Sequence, residues 1–226
     1  MGTLPSAGTV IGDGFVLEEL IGHGGMGAVF RAKDKKGSVV ALKMLLKGQA
    51  EDPQLWQEAA KRLRDEARAT AKVENPALVK VLAWGDDNKF GPYVALEFLI
   101  GASLRERLSG PAGALGWRNV STKVARPLLQ ALAALHEVNV VHRDIKPENI
   151  FDSGDGSYKL GDLGLAAFEG REAHTKTGAT WGTPGYMAPE RLATASNPLS
   201  KAGDIYSAAV VIVEAVAGRL PFKGRR

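Results

Sequence analysis

The apolar positions of the chain change rhythm once. In the first hundred or so positions they come in short β-type runs broken by glycine; beyond Gly101 they recur at helical spacing. Val16-Leu17-Glu18-Glu19-Leu20-Ile21 and Ala28-Val29-Phe30-Arg31-Ala32 read as two strands flanking a glycine turn. Val39-Val40-Ala41-Leu42-Lys43 reads as a third strand, paired with the second. Residues 54 to 73 predict a helix, with Leu55, Ala59, Leu63, Ala67 and Thr70 on one face and Pro76 as its stop. Two further strands are expected near Leu78 to Trp84 and Tyr93 to Phe98. Val124, Leu128, Leu132 and Leu135 mark a long amphipathic helix. A last helix, roughly Gly203 to Ala217, is apolar on nearly every face, so it is expected to be buried. Residues 1–13 are small and polar and read as a flexible N-terminus. The pattern predicts an α+β chain: a strand-rich lobe over 14–98, a hinge over 99–102 and a helical lobe over 103–226.

Composition narrows the class. At 226 residues the chain can bury a sizeable core, as one large domain or two lobes. Its 45% hydrophobic and 24% charged residues are ordinary for a globular protein. The net charge of +4 is spread among interspersed acids and bases, so no basic arm for nucleic acid is expected. With no cysteine, disulfide, thiolate and zinc-thiolate chemistry are excluded, which fits a reducing, cytoplasmic setting. The longest apolar stretch, Ala208 to Ala217, contains Glu214 and falls far short of the roughly 20 residues that span a bilayer. The N-terminus lacks the apolar core of a signal peptide.

Candidate chemistry begins at Gly22-His23-Gly24-Gly25-Met26-Gly27-Ala28-Val29. Glycines let backbone N–H groups approach phosphate oxygens without Cβ interference. The run alone also fits a dinucleotide fingerprint or a plain hairpin. A dinucleotide fingerprint opens a helix, whereas this one leads into the strand-like Val29-Phe30-Arg31-Ala32, which favours a flap over a nucleotide. Lys43 follows at the distance of a neighbouring strand and could hold phosphates, although a lysine there also fits a solvated strand edge. A carboxylate to fix it is available in Glu66, which shares the inward helix face with Leu63 and Thr70. Asp65 is turned away by about 100°. A solvated helix charge is the plainer reading of Glu66.

The most specific signal is Val141-His142-Arg143-Asp144-Ile145-Lys146-Pro147-Glu148-Asn149-Ile150. Together with the glycine turn and Lys43, it resembles the signature set of protein kinases. Gly161-Asp162-Leu163-Gly164 resembles the kinase Asp-Phe-Gly, with leucine as the apolar anchor. Gly182-Thr183-Pro184-Gly185-Tyr186-Met187-Ala188-Pro189-Glu190 resembles the kinase peptide-binding loop and its Ala-Pro-Glu terminus. The resemblance covers about residues 14 to 224, with the motifs in order. Gly24-Gly25-Met26-Gly27 is similar to bacterial-type Ser/Thr kinases, and Lys146 and Thr183 point to serine or threonine rather than tyrosine.

The resemblance implies a bilobal fold: an antiparallel N-lobe sheet with one main helix and a mostly helical C-lobe. It implies ATP and Mg2+ as cofactors, with Mn2+ as a substitute, and protein substrates bearing Ser or Thr. Asp144 is implied to orient the substrate hydroxyl proton, Lys146 to neutralise the γ-phosphate, and Asn149 and Asp162 to bind metal. Arg143 is implied to meet a phosphate on the activation loop, where Thr175, Thr177 and Thr180 lie, and His142 to be structural. The adenine pocket is implied to have Ile21, Val29 and Ala41 as roof, Phe151 as floor and Leu96 at its back, with the backbone of Glu97 and Leu99 at the adenine edge. Gly22, His23, Gly24, Gly25, Met26 and Gly27 are implied to cover the phosphates, with Lys43 and Glu66 beneath. Ser103 argues against a strong arginine preference in substrates, while Glu148 is placed to favour one basic residue. The resemblance also implies further helices after Phe222, so the chain reads as a C-terminally truncated lobe. The alternative is a pseudokinase or truncated scaffold that binds nucleotide or a partner without transfer. A small-molecule kinase is disfavoured by the peptide-type loop at Gly182 to Glu190.

Overall fold

The computed structural model describes residues 4–24, 27–47, 53–111, 113–161, 184–193 and 200–222. The chain divides into two compact units. The first comprises residues 1–72 and 80–98, the second 73–79 and 99–226.

The first unit is a six-stranded antiparallel sheet in the order β1-β2-β3-β4-β6-β5. Its strands are β1 (Val10–Ile11), β2 (Phe15–His23), β3 (Gly27–Lys33), β4 (Val39–Leu45), β5 (Val81–Asp87) and β6 (Gly91–Glu97). One helix, α1 (Pro53–Thr70), connects β4 to β5. Strand alternation divides the residues between two faces. Ala28, Phe30, Ala32, Val40, Leu42, Met44, Tyr93 and Ala95 form one face's core, with Ile11 and Leu17. The two predicted strands around the glycine turn pair as expected, with Leu20 opposite Phe30 and Gly22 opposite Val29. The predicted third strand runs on to Leu45. The predicted helix ends at Thr70 rather than 73, and buries Ala59, Ala60, Leu63, Ala67 and Thr70.

Two expectations change. Residues 1–13 were expected to be a loose tail, but β1 pairs with β2, Val10 opposite Val16. Ile11 is fully buried in the sheet core. Among the interactions that hold this strap, Gly12 donates its N–H to Asp87 Oδ2 at 3.0 Å, Asp13 donates to the Tyr93 hydroxyl at 3.4 Å, Leu17 donates to the Thr9 carbonyl at 2.9 Å and Gly8 donates to the Leu17 carbonyl at 2.8 Å. One buried isoleucine in a polar segment is too little pattern to announce a strand. Second, the strand expected from Leu78 starts only at Val81. Leu78 instead bridges Leu160, and Val79 donates to the Leu160 carbonyl at 2.9 Å, within the second unit.

The second unit is mainly helical. Its helices are α2 (Leu104–Ser109), α3 (Trp117–Asn119), α4 (Arg126–Glu137), α5 (Pro189–Ala193) and α6 (Lys201–Ala217). A two-stranded ribbon joins β7 (Ile150–Asp152) to β8 (Tyr158–Leu160). Ser103 caps α2 in a reciprocal capping box with Glu106. Between α3 and α4 the backbone is π-helical over Val120–Ala125, where Arg126 donates to the carbonyl five residues back, Ser121. Pro127 follows, with no N–H and a ring that clashes with the preceding turn, so the wider turn absorbs a break that an α-ladder would suffer. Val120, Val124, Leu128, Ala131, Leu132 and Leu135 still form one buried stripe. Helix α6 starts on a Ser200 side-chain cap and ends on Gly218 at φ 68°. It was expected to be buried all round; among the described residues its Ile205, Val213 and Val216 are exposed.

Candidate active site

The second unit carries the densest cluster. The loop from His142 to Lys146 sits between α4 and a 3-10 turn at Pro147–Asn149. The Asp144 carboxylate lies 2.8 Å from Lys146 Nζ and 2.9 Å from Asn149 Nδ2, both through Oδ2. Asn149 Nδ2 also donates to the Asp144 carbonyl at 2.7 Å. These two bonds turn the amide nitrogen toward Asp144 and the amide oxygen away from it. A carboxylate, a cation and a hard oxygen donor thus converge within six residues.

What fixes the loop is a buried carboxylate far along the chain. Asp204, in the first turn of α6, is 2% exposed. Its Oδ2 accepts the His142 N–H at 2.8 Å and His136 Nε2 at 2.8 Å, and its Oδ1 accepts the Arg143 N–H at 2.9 Å. Arg143 is held at φ 74°, a region few non-glycine residues adopt. The His142 ring is fully buried; its Nε2 donates to the Gly161 carbonyl at 2.8 Å. Its Nδ1 faces the Asp144 N–H at 3.4 Å. Both nitrogens are therefore engaged, which suits a structural imidazole. The Arg143 carbonyl accepts from Arg191 Nη1 at 2.8 Å.

A second network lies beneath the loop. Arg105 bonds Glu148 through Nε and Glu214 through Nη1, each at 2.9 Å. The Tyr186 hydroxyl joins it, contacting Arg105 and donating to Glu214. Burial, and then the Glu214 carboxylate, push the Tyr186 hydroxyl well above its ordinary range. Burial opposes the Arg105 charge, but Glu214 and Glu148 more than offset it and hold the guanidinium above its usual value. Glu148, read from sequence as placed to favour a basic residue in substrates, is instead already paired with Arg105. Ser103 exchanges hydrogen bonds with Glu106.

In the first unit the sheet register assembles the other candidates. Val29 lies opposite Lys43, and Ala41 lies opposite Leu96. Residues directly opposite share a face, so Val29, Ala41, Lys43 and Leu96 stand on one face, away from the Phe30 core. Lys43 is only 8% exposed, which excludes the solvated-edge reading. Glu66 is half-buried on α1 while Asp65 is exposed, as the helical period requires. Ile21 is exposed, and Gly22, His23 and Gly24 end β2 and enter the turn. Gly24 donates to the Gly27 carbonyl at 2.9 Å, closing that turn. A Cβ on Gly27 would sit 2.4 Å from the Met44 carbonyl oxygen, so only glycine allows β3 and β4 to approach so closely here. Glu97 N–H donates to the Lys80 carbonyl at 3.0 Å, and Lys80 N–H returns a bond to the Glu97 carboxylate at 2.8 Å.

Of the remaining candidates, Leu99 and Phe151 belong to the second unit, both half-buried. Gly25, Met26, Asp162, Leu163, Thr175, Thr177, Thr180, Gly182 and Thr183 lie outside the described residues.

Comparison with known proteins fits this geometry. The family model described as the protein kinase domain matches residues 15–226. The chain belongs to the protein kinase domain family. Within that family it is 36% identical over 224 residues to the Mycobacterium tuberculosis serine/threonine-protein kinase PknL, covering 97% of this chain and 53% of PknL. It is 35% identical to the serine/threonine-protein kinase PknA of the same species, covering 97% of this chain and 50% of PknA. It is 34% identical to the probable serine/threonine-protein kinase PknB of Corynebacterium glutamicum, covering 95% of this chain and 33% of PknB. The chain therefore spans about half or less of the length of the relatives it matches. Protein kinases use ATP with Mg2+. Asn149, whose amide oxygen is turned away from Asp144, presents one hard oxygen ligand of the kind such an ion takes. Among the described residues, no helix is long and apolar enough to cross a membrane.

Sequence reasoning missed Asp204, His136, Arg105, Tyr186 and Arg191. A usable signal existed for two of their network: Asp204 and Glu214 are charges inside the apolar pattern of α6, and buried charges require partners.

Proposed function

We propose that this chain transfers the γ-phosphoryl group of ATP to Ser or Thr hydroxyls of proteins, including threonines of its own activation loop. The observation that carries the reading is the contact of Asp144 with both Lys146 and Asn149. Asp144 orients the acceptor hydroxyl and takes its proton as the oxygen–phosphorus bond forms. Lys146 compensates charge on the transferred group, and its contact with Asp144 keeps that carboxylate aimed. Asn149, with Asp162, holds Mg2+, which when bound neutralises charge on the phosphate oxygens.

The first unit binds the nucleotide. Its glycine turn (Gly22, His23, Gly24, Gly25, Met26 and Gly27) offers backbone N–H groups to phosphate, and Lys43, steadied by Glu66, holds the α- and β-phosphates. Ile21, Val29, Ala41 and Leu96 take one side of the adenine. The adenine edge meets the backbone of Glu97; because the Glu97 N–H is bonded to Lys80, that contact falls to its carbonyl. The lobe boundaries 14–98, 99–102 and 103–226 follow this division of labour. A chain that consumes ATP belongs in the cytoplasm.

The test is incubation of the purified chain with labelled ATP and Mg2+, with and without a basic protein substrate. Label is expected in the substrate and in the 162–183 segment. Asp144→Asn should lower turnover by about 10²–10⁴-fold with nucleotide affinity kept. Full turnover in Asp144→Asn would remove Asp144 from its role, and ATP binding without any transfer would sink the enzymatic reading.

A further inference from the structure

The catalytic loop is gripped on two sides. Asp204 holds the N–H groups of His142 and Arg143. On the opposite side, Arg191 Nη1 donates to the Arg143 carbonyl at 2.8 Å. That carbonyl belongs to the peptide unit whose nitrogen is Asp144's own. Rotation of this one plane swings the Asp144 Cα and carries its carboxylate with it. The backbone at Arg143 is already in the left-handed region, where a non-glycine residue persists only if its surroundings hold it.

Arg191 is suited to hold it. Its guanidinium is half-buried, and burial works against its charge. The carboxylates of Asp144, Asp204 and Glu190 favour that charge, while Arg143 opposes it. A rigid planar donor keeps a fixed direction better than a flexible ammonium does. Arg191 sits in α5, immediately after Ala188-Pro189-Glu190, so the segment read as the peptide-binding loop ends on the residue that braces the base.

We infer that Arg191 is a positioning residue that orients Asp144 through the Arg143–Asp144 peptide and ties the 182–190 segment to phosphoryl transfer. This rests on the phosphotransfer reading, so the experiment has an arm independent of turnover. Hydrogen exchange of the backbone over residues 141–146 is compared in the unaltered 226-residue chain, Arg191→Met and Arg191→Lys. Arg191→Met keeps the aliphatic stem and loses the donor. Its exchange over 141–146 should quicken at least tenfold while α4 stays as protected as before; unchanged exchange overturns the brace. In the kinetic arm, Arg191→Met should lower kcat for protein substrate at least tenfold with KM for ATP within twofold, and Arg191→Lys should recover only part of the loss. A kcat unmoved by Arg191→Met, in a chain whose loop exchange has quickened, overturns the positioning role. Loss of ATP affinity and turnover together, with α4 also deprotected, shows a purely structural arginine and overturns it as well. Absence of turnover in the unaltered chain counts against the phosphotransfer reading alone, and the exchange arm still decides the brace.

Discussion

The two units place their candidate functional residues by different physics. In the first, Val29, Ala41, Lys43 and Leu96 are brought onto one face by strand register, through backbone ladder bonds that run along whole strands, Val29 opposite Lys43 and Ala41 opposite Leu96. In the second, Asp144 is aimed by side chains distant in sequence: Asp204 is 61 positions from Arg143, and Glu214 is 109 from Arg105. A sheet is redundant, because each residue's place is set by every ladder bond along the strand. A loop aimed by a few distant side chains has no such redundancy. Single side-chain changes should therefore damage the second unit's site more than the first's, unless they strike the backbone itself.

The sharpest test is Asp204→Ala. It orphans the N–H groups of His142 and Arg143, each at a cost of about 1–3 kcal/mol, and strands His136. Urea unfolding followed by fluorescence should show the largest loss of stability of the substitutions named in this Discussion, together with collapse of turnover. A near-neutral result would erase the contrast between the units.

Next comes the network below the loop. Arg105→Met leaves the Glu214 carboxylate buried beside Tyr186 without its cation. Breaking a buried pair costs about 3–5 kcal/mol, and partial exposure of Arg105 puts this case below that range, at about 2–3 kcal/mol. The double variant Arg105→Met with Glu214→Leu should regain much of that, since it removes both charges; unfolding of the four proteins of the cycle measures the coupling. Losses that simply add would show that the two residues do not act as a pair.

In the first unit the vulnerable point is backbone, not side chain. Gly27→Ala drives a Cβ to within 2.4 Å of the Met44 carbonyl oxygen, so β3 must move away from β4. Overpacking of this kind costs about 1–3 kcal/mol, and it should weaken nucleotide binding in a titration with a fluorescent ATP analogue. A loss larger than that of Asp204→Ala would reverse the comparison.

The smallest effect concerns pH. Burial alone would raise the Asp87 carboxyl, but N–H donors from Gly12, Phe90 and Lys89, and the charge of Lys47, outweigh it and hold the group below its ordinary value of 3.8. A carboxyl depressed in the folded state contributes stability in full above its unfolded value, and loses it as pH falls through the folded one. The N-terminal strap should therefore stay closed at neutral pH and loosen only below about pH 4. Protection of the Gly12 amide, its exchange relative to the free-peptide rate at the same pH, should fall in that range, and Asp87→Asn should show the reduced protection already at pH 7. Protection unchanged between pH 3 and 7 would detach Asp87 from the strap.

The sequence by itself determined a good deal here. Alternating apolar positions specified the antiparallel strands, since a one-residue slip would turn every core side chain to solvent. The 3.6-residue period put Glu66 inward and Asp65 outward. The run His142 to Asn149 brought Asp144, Lys146 and Asn149 together because they are too close in the chain to be far apart in space. Three things were decided only by the tertiary structure. Ile11 is buried by a strap whose partners, Asp87 and Tyr93, come 75 to 80 positions later. Glu148 is paired with Arg105, which reaches it across 43 positions. The catalytic loop owes its conformation to Asp204 and Arg191, charges whose burial gives them their grip. Local patterns report periodicity and neighbours; a buried charge is explained by whatever the fold brings against it, and that partner has no fixed distance in sequence.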